Sequence, residues 1–245
     1  MRNGWLWSVG VIGLALSGAA GAADAFEIDT LATSRGPLRI TCIGHGTLMF
    51  EVAGKVIHVD PWSRLADYSR LPKADLVLIT HDHADHFDPV ALKAVTQPAT
   101  RVLANGVVAA RVPGAVAMAN GRTVTYADIT IEAVPAYNLV HRRPDGTPFH
   151  PKGVGNGYVL TLGDRRVYVA GDTENVPEIK ALKDIHCAFL PMNLPYTMTP
   201  EMVAEVALAL KPAILYPYHF GDTDAGRLAA LLAGHGIEVR LRRLQ

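Results

Sequence analysis

The chain has 245 residues, and 23 Lys and Arg balance 23 Asp and Glu, so its formal net charge at pH 7 is zero. That length suits one layered α/β domain. The lack of a basic block argues against extended nucleic-acid binding, which rests on clustered Lys and Arg.

In chain order, Arg2 is followed by an apolar run from Trp5 to Leu16 and then by Ser17-Gly18-Ala19-Ala20-Gly21-Ala22-Ala23. A charged start, an apolar stretch and a small-residue cleavage site predict a signal peptide over residues 1–23. The apolar run is short for a spanning helix. The expectation is export, to the periplasm in a bacterium, with no stable membrane insertion after cleavage and a single domain over residues 24–245.

Leu38–Ile43 reads as the first strand. Leu48–Val52 and Val56–Val59 read as a hairpin about Ala53-Gly54-Lys55. Between them, Gly44-His45-Gly46-Thr47 is a loop whose glycines permit close backbone approach, and His45 is a candidate for a supporting or substrate-contacting group as well as for a structural histidine. Leu76-Val77-Leu78-Ile79 is a short apolar run of the buried-strand type. Asp88-Pro89 then opens a helix, with a capping residue followed by Pro at the first helical position. Asn120-Gly121 predicts a hairpin joining Val116–Met118 to Thr123–Tyr126. A long polar stretch follows Ala136-Tyr137-Asn138 up to Gly157, and loops of that length often carry function. Two strands flank Gly163-Asp164, a helix starts at Pro177, and a strand runs from Ala188 into Asn193. Thr199-Pro200 caps a helix with Val203, Val206, Ala207 and Leu210 on one face. Ile214–Tyr218 is a strand, the last helix carries Leu228, Leu231 and Leu232, and Ile237–Leu241 reads as an edge strand. Arg240-Leu241-Arg242-Arg243 reads as a solvated end. Cys42 and Cys187 lie in apolar runs and read as buried thiols, with a disulfide left open.

The densest chemistry is Thr80-His81-Asp82-His83-Ala84-Asp85-His86-Phe87-Asp88, which sits between the apolar strand and the helix. Imidazole and carboxylate are zinc ligands. A tight turn can aim His81 and His83 at one point, and Asp85 and His86 at a second point about 3.5–4 Å away.

His81-x-His83-x-Asp85-His86 resembles the signature of the metallo-β-lactamase superfamily, and the resemblance extends over nearly all the chain after the first two dozen residues. It implies an αββα sandwich: two mixed sheets face to face with helices outside. It also implies that His81 and His83 hold one metal, that Asp85, His86 and His219 hold the other, that Asp172 bridges them, and that Asp60 braces the loop without being a ligand. The superfamily usually supplies a third histidine to the first metal at a position that here matches Asn138. His150 is our choice for the replacement, with His141 and Asn138 as the alternatives.

The implied function is a zinc-dependent hydrolase that uses a metal-bound hydroxide on a small ester, lactone or phosphoester, with Asp85 receiving the proton. Two Zn²⁺ per chain are expected, with Mn²⁺ or Fe²⁺ as other occupants. Tyr137, Asn138, Lys152, Asn156, Asn193 and Tyr196 are the candidates for contact with a small-molecule substrate, Lys152 for an anionic group. Within the superfamily, Ala136-Tyr137-Asn138, His150-Pro151-Lys152-Gly153, Gly171-Asp172-Thr173 and Pro191-Met192-Asn193-Leu194-Pro195 look like the ascorbate-6-phosphate lactonase-like branch, and more distantly like N-acyl phosphatidylethanolamine phospholipase D. A phosphodiesterase, or a non-catalytic metal-dependent binding protein of the same fold, are the competing readings. The cysteine ligand of the main antibiotic-degrading group is missing, which argues against β-lactamase activity. The di-iron redox relatives usually carry Glu where this chain has His83.

Overall fold

The computed structural model describes residues 26–245, and the expected signal peptide over residues 1–23 lies outside them. The first half of the chain builds one sheet from β1 (Glu27–Thr33), β2 (Gly36–Gly44), β3 (Thr47–Val52), β4 (Lys55–Val59), β5 (Leu76–Ile79), β6 (Arg101–Ala104) and β7 (Val116–Ala117), with α1 (Pro89–Val95) and α2 (Gly106–Ala109) between its last strands. The second half repeats the plan with β8 (Thr123–Tyr126), β9 (Ile129–Ala136), β10 (Gly155–Leu162), β11 (Arg165–Val169), β12 (Ile185–Pro191), β13 (Ile214–Tyr218) and β14 (Glu238–Val239). Its helices are α3 (Pro177–Lys180), α4 (Pro200–Leu210) and α5 (Ala225–Leu231). Each sheet has seven strands whose spatial order follows the chain.

In both sheets the early pairs are antiparallel and the late ones parallel. Antiparallel neighbours need only tight turns, whereas parallel neighbours need a crossover. That is why the helices fall only in the second part of each half. The parallel strands β4, β5, β12 and β13 run directly into Asp60, Thr80, Met192 and His219, and β11 reaches Gly171 two residues past its end. Ligand sites in such sheets gather at the carboxyl ends of strands, and these ends converge here.

β5 illustrates the layering. All four of its residues are buried, with Leu76 and Leu78 in the core between the sheets. Val77 and Ile79 point the other way, into a second cluster with Ala91, Leu92 and Val95 of α1. A strand covered on both faces needs a continuous apolar run. Across the sandwich, Phe50 of β3 meets Phe189 of β12 with ring centroids 5.9 Å apart, and Phe189 stacks on Tyr216 of β13 at 4.6 Å. The αββα arrangement is therefore present. The capping residues act as their types suggest: Asp88 accepts from the amides of Val90 and Ala91, and Thr199 from that of Met202.

Several local expectations are corrected. β1 precedes the first strand read from the sequence, and its register sets Leu31 against Leu38. Its edge position buries only Leu31 of its seven residues, so its apolar signal is thin. Val116–Met118 and Thr123–Tyr126 do not pair: β7 ends one sheet and β8 begins the other. Asn120-Gly121 does lie in a turn, with the Arg122 amide donating to Ala119 O at 2.9 Å. However, the Asn120 side chain donates to Gly155 O and Asn156 Oδ1, which directs the chain across to the second sheet. The closing edge strand shrinks to two residues, and Leu231 is half-exposed. The basic end is only partly solvated: Leu241 and Arg243 are exposed, but Arg240 and Arg242 are half-buried. Arg242 donates to both oxygens of Asp29 on β1 at 2.8 and 3.0 Å, and Leu244 is fully buried. Cys42 and Cys187 are buried free thiols, and burial pushes the Cys42 thiol up to about 12.

Candidate metal centre

Asp60, at the end of β4, is buried and lies directly beneath the histidine-rich loop. Its Oδ1 accepts the Thr80 amide at 2.8 Å, and its Oδ2 accepts the Thr80 hydroxyl at 2.6 Å and His86 Nδ1 at 2.8 Å. The loop itself closes as a tight turn, with the amides of His86 and Phe87 both donating to His83 O. Non-glycine residues at three surrounding positions hold left-handed backbone: His45 (φ 49°), Asp60 (φ 44°) and His219 (φ 46°). Such conformations cost of order 1–3 kcal/mol each and persist only where surrounding packing dictates them, most often at functional sites.

The hydrogen bonds settle three imidazole tautomers. The Thr80 hydroxyl donates its one hydrogen to Asp60, so it accepts from His81 Nδ1 at 3.0 Å. His86 Nδ1 donates to Asp60. His150 Nδ1 donates to the Asn138 amide oxygen at 2.8 Å. With Nδ1 engaged outward, each ring turns Nε2 inward, as a metal-ligating histidine does. Burial and neighbouring imidazoles hold His81 well below the ordinary histidine range, so its ring is neutral.

The inward atoms fall into overlapping groups. His81, His83, His150 and Asp172 each offer one ligand atom, all within 4.8 Å of one another; His86, Asp172 and His219 form a second group, and His45, Asp85 and His219 a third. Asp172 belongs to both of the first two. Its Oδ2 lies 3.2 Å from His150 Nε2, 3.7 Å from His219 Nε2 and 3.9 Å from His81 Nε2, and its Oδ1 lies 3.5 Å from His86 Nε2. Asp85 Oδ2 lies 3.4 Å from His219 Nε2 and 3.7 Å from His86 Nε2. All seven residues assigned as ligands from the sequence thus lie in these groups.

The donor set fits divalent cations. His81 Nε2, His86 Nε2, His150 Nε2, His219 Nε2 and Asp172 Oδ1 are buried and make no hydrogen bond. Each such orphan costs about 1–3 kcal/mol, and these all point at one another. Cations among them would satisfy every one. Burial works against the Asp172 charge, but His219, His86 and His150 outweigh it and keep the carboxyl well below the usual carboxylate range. Backbone makes room as well. A Cβ at Gly46 would sit 2.9 Å from His86 Cε1 and 3.4 Å from His219 Cδ2, so only glycine fits against these rings.

The remaining candidates separate cleanly. Asn138 stands behind His150: its Oδ1 accepts the His150 amide at 2.7 Å and the ring Nδ1, and its Nδ2 donates to Glu174 Oε1 and Tyr196 O. His141 is turned away to Glu174 Oε1 at 2.7 Å. Glu174, fully buried, also accepts the amides of Leu139, Val140 and His141. It was not foreseen. Its one sequence signal is its place two residues after Asp172.

The centre opens into a cavity of about 520 Å³, walled by Trp62, Phe149 and Tyr196, with Arg143 and Asn193 as polar groups above the His and Asp floor. Asn193 and Tyr196 therefore stand where a substrate would lie. Four other substrate candidates do not line it. Asn138 and Asn156 are buried braces, Asn156 donating to Met118 O at 2.8 Å. Tyr137 donates to Glu178 Oε2, and Lys152 pairs with Glu178 at 2.7 Å. Trp62, Arg143 and Phe149 were missed, because loop residues carry no periodic signal. His45 reaches Asp85 Oδ2 at 3.1 Å and Gln245 O at 3.0 Å, at the cavity rim.

The profile of the beta-lactamase superfamily domain matches residues 39–219. A UPF0173 metal-dependent hydrolase of Aeropyrum pernix is 29% identical over 205 residues, covering 75% of this chain and 82% of its own. One of Dinoroseobacter shibae is 32% identical over 186 residues, covering 69% and 80%. Among solved structures, a Parabacteroides distasonis protein named only for metal-dependent hydrolysis superposes with a TM-score of 0.86 at 48% identity, covering 90% of this chain and all of that one. With the histidine and aspartate groups already placed at the strand ends, these likenesses make the chain a member of the beta-lactamase superfamily and a metal-dependent hydrolase.

Proposed function

We propose that this protein is a binuclear zinc hydrolase that cleaves a small ester, lactone or phosphoester, and that it works outside the cytoplasm after loss of residues 1–23. The observation that carries the binuclear reading is Asp172: one buried carboxylate within reach of both groups of imidazole nitrogens. Five or more imidazole nitrogens with two carboxylates suit zinc better than Mg²⁺ or Ca²⁺, which prefer all-oxygen sites. His81, His83, His150 and Asp172 would hold one ion, and Asp85, His86, His219 and Asp172 the other. Bound there, two such ions supply an activated water and positive charge against the oxygen of the bond being cleaved.

The chain's own groups do the rest. Asp85 lines the cavity, and its carboxylate receives the proton released in the attack. The His45 and His219 rings outweigh burial and keep that carboxyl ionised between turnovers. Asn193 orients the substrate from the rim, and Trp62, Phe149 and Tyr196 exclude bulk water from one side. The cavity volume, in the range of small-molecule sites, restricts the substrate to a small molecule. The export reading rests on the residue pattern of the first 23 positions.

The test is metal analysis and turnover of the mature chain, wild type beside Asp172→Asn. About two zinc per wild-type chain, hydrolysis of an ester or phosphoester panel, and loss of turnover by at least 100-fold in a folded Asp172→Asn are expected. One zinc per chain with full activity would sink the binuclear reading.

A further inference from the structure

The loop between β9 and β10 carries more than His150. Its tip is a small hairpin: Arg142 and Pro148 form an antiparallel bridge, the Arg143 amide donates to Thr147 O at 2.7 Å, and the Gly146 amide returns to Arg143 O at 2.9 Å. Arg143-Pro144-Asp145-Gly146 has the residue types of a tight turn, with Pro presetting the backbone at the second position. Gly146 takes the left-handed conformation (φ 85°), and Asp145 accepts the Thr147 amide and hydroxyl at 2.9 and 2.7 Å. Arg143 therefore projects from a braced turn seven residues before His150.

Its guanidinium carbon lies 5.1 Å from the centroid of the Phe149 ring, which in turn meets Tyr196 edge-on at 5.0 Å. Its one side-chain hydrogen bond is a long one, 3.4 Å, to Phe149 O. No carboxylate oxygen lies within 4 Å of it among the described residues, and its nearest acidic neighbour, Asp145 on the same turn, is held mainly by the Thr147 hydroxyl and amide. The neighbouring cations are spent elsewhere: Lys152 on Glu178 and Tyr137, and Arg64 on the Trp62 ring without lining the cavity. A guanidinium has five donors in a planar fork matched to carboxylate and phosphate oxygens. Here most of them are uncommitted, and the fork stands on the wall of the cavity above the metal ligands.

We propose that Arg143 sets the specificity of the reaction, and that the substrate bears a second, anionic group, a carboxylate or a phosphate, on an apolar body that packs against Trp62, Phe149 and Tyr196. This rests on the hydrolase reading of the same cavity. The anion docks on Arg143 while the scissile bond lies over the His and Asp floor, so the charged group is a recognition handle and is not itself the bond cleaved. Arg143 is exposed, and the Phe149 ring it packs on shields one side of the pair.

The experiment compares three 4-nitrophenyl esters on the zinc-loaded mature protein: the adipate monoester, the 5-phosphonopentanoate and the uncharged 6-methylheptanoate. The reacting ester is the same in all three. Wild type is expected to prefer at least one anionic ester over the uncharged one by about tenfold or more in kcat/KM. Arg143→Gln should bring that ratio to near unity, mainly through KM. Arg143→Lys should restore part of it, and Lys152→Gln should leave it intact. Whichever anionic ester leads identifies the handle as carboxylate or phosphate. An Arg143→Gln protein with the wild-type ratio, or with equal losses on all three esters, overturns the proposal. If wild type hydrolyses none of them, the hydrolase reading fails on these esters, and recognition is read by calorimetric titration with adipate. A tenfold weaker affinity in Arg143→Gln sustains the proposal, and equal affinities overturn it.

Discussion

The amide oxygen of Asn138 accepts both the backbone and the ring Nδ1 protons of His150, at 2.7 and 2.8 Å. One side chain thus fixes the position and the tautomer of an imidazole contributed twelve residues later, and its own Nδ2 is anchored by Glu174. Asn138→Ala would leave the buried Nδ1–H of His150 without a partner. Supports of this kind are worth about 10–100-fold in metal affinity, and the orphaned groups cost about 1–3 kcal/mol of stability. In the proposed binuclear site, competition titration with a zinc chelator should find one ion weakened by that factor, with the other nearly unchanged. Equal affinity for both ions in variant and wild type would falsify this role for Asn138.

Gly46→Ala tests how tightly the backbone is pressed onto the imidazoles. The added methyl would overlap His86 Cε1 and crowd His219. Overpacking of that kind costs about 1–3 kcal/mol. Because the rings it displaces are ligand candidates, turnover should fall by an order of magnitude or more while the fold persists. Unaltered zinc content and kcat/KM in Gly46→Ala would show that the rings yield freely.

Metal removal should weaken the fold without abolishing it. The core between the sheets is large and independent of the site, so the sandwich does not depend on an ion. Ligand binding adds RT ln(1 + [L]/Kd), about 2.7 kcal/mol at a free zinc concentration 100 times Kd. Dialysis against a chelator is expected to lower the melting temperature by several degrees, and readdition of zinc to restore it along with activity. A melting curve indifferent to zinc would argue that the orphaned nitrogens hold no ion.

Asp29 provides a pH-dependent clamp far from the chemistry. Burial opposes its charge, but the Arg242 fork, the Tyr216 hydroxyl and Arg240 outweigh it and hold the carboxyl below its ordinary value of 3.8. A depressed folded-state value means that the stabilisation is complete above about pH 3.8 and is lost as pH falls through the folded-state value. Asp29→Asn should therefore be less stable than wild type by about 1.5–3 kcal/mol at pH 7, with the gap narrowing on acidification below 3.8. Denaturant titrations at pH 7 and pH 3 measure both gaps. A gap that is equal at the two values would mean that the basic end is not held by this charge.

Much of this molecule is set by interactions within a few residues, and those parts were legible in the sequence. The apolar run of β5, the Asp88 and Thr199 caps, and the histidine-rich turn each depend on neighbours close in the chain, so residue type and spacing suffice to place them. Other features depend on a partner brought from far away. Asn120-Gly121 makes its turn as a local signal should, but whether the next strand pairs back or crosses to the other sheet is decided by what Asn120 meets on β10. From the sequence His150 is preferred to His141 with both left open, and the Glu174 anchor, which holds His141 and leaves His150 against Asn138, separates them. Lys152 and Arg143 are likewise both cations on one loop. Glu178 neutralises the first, and a braced turn aims the second into the cavity, because a charge acts where its nearest partners leave it free.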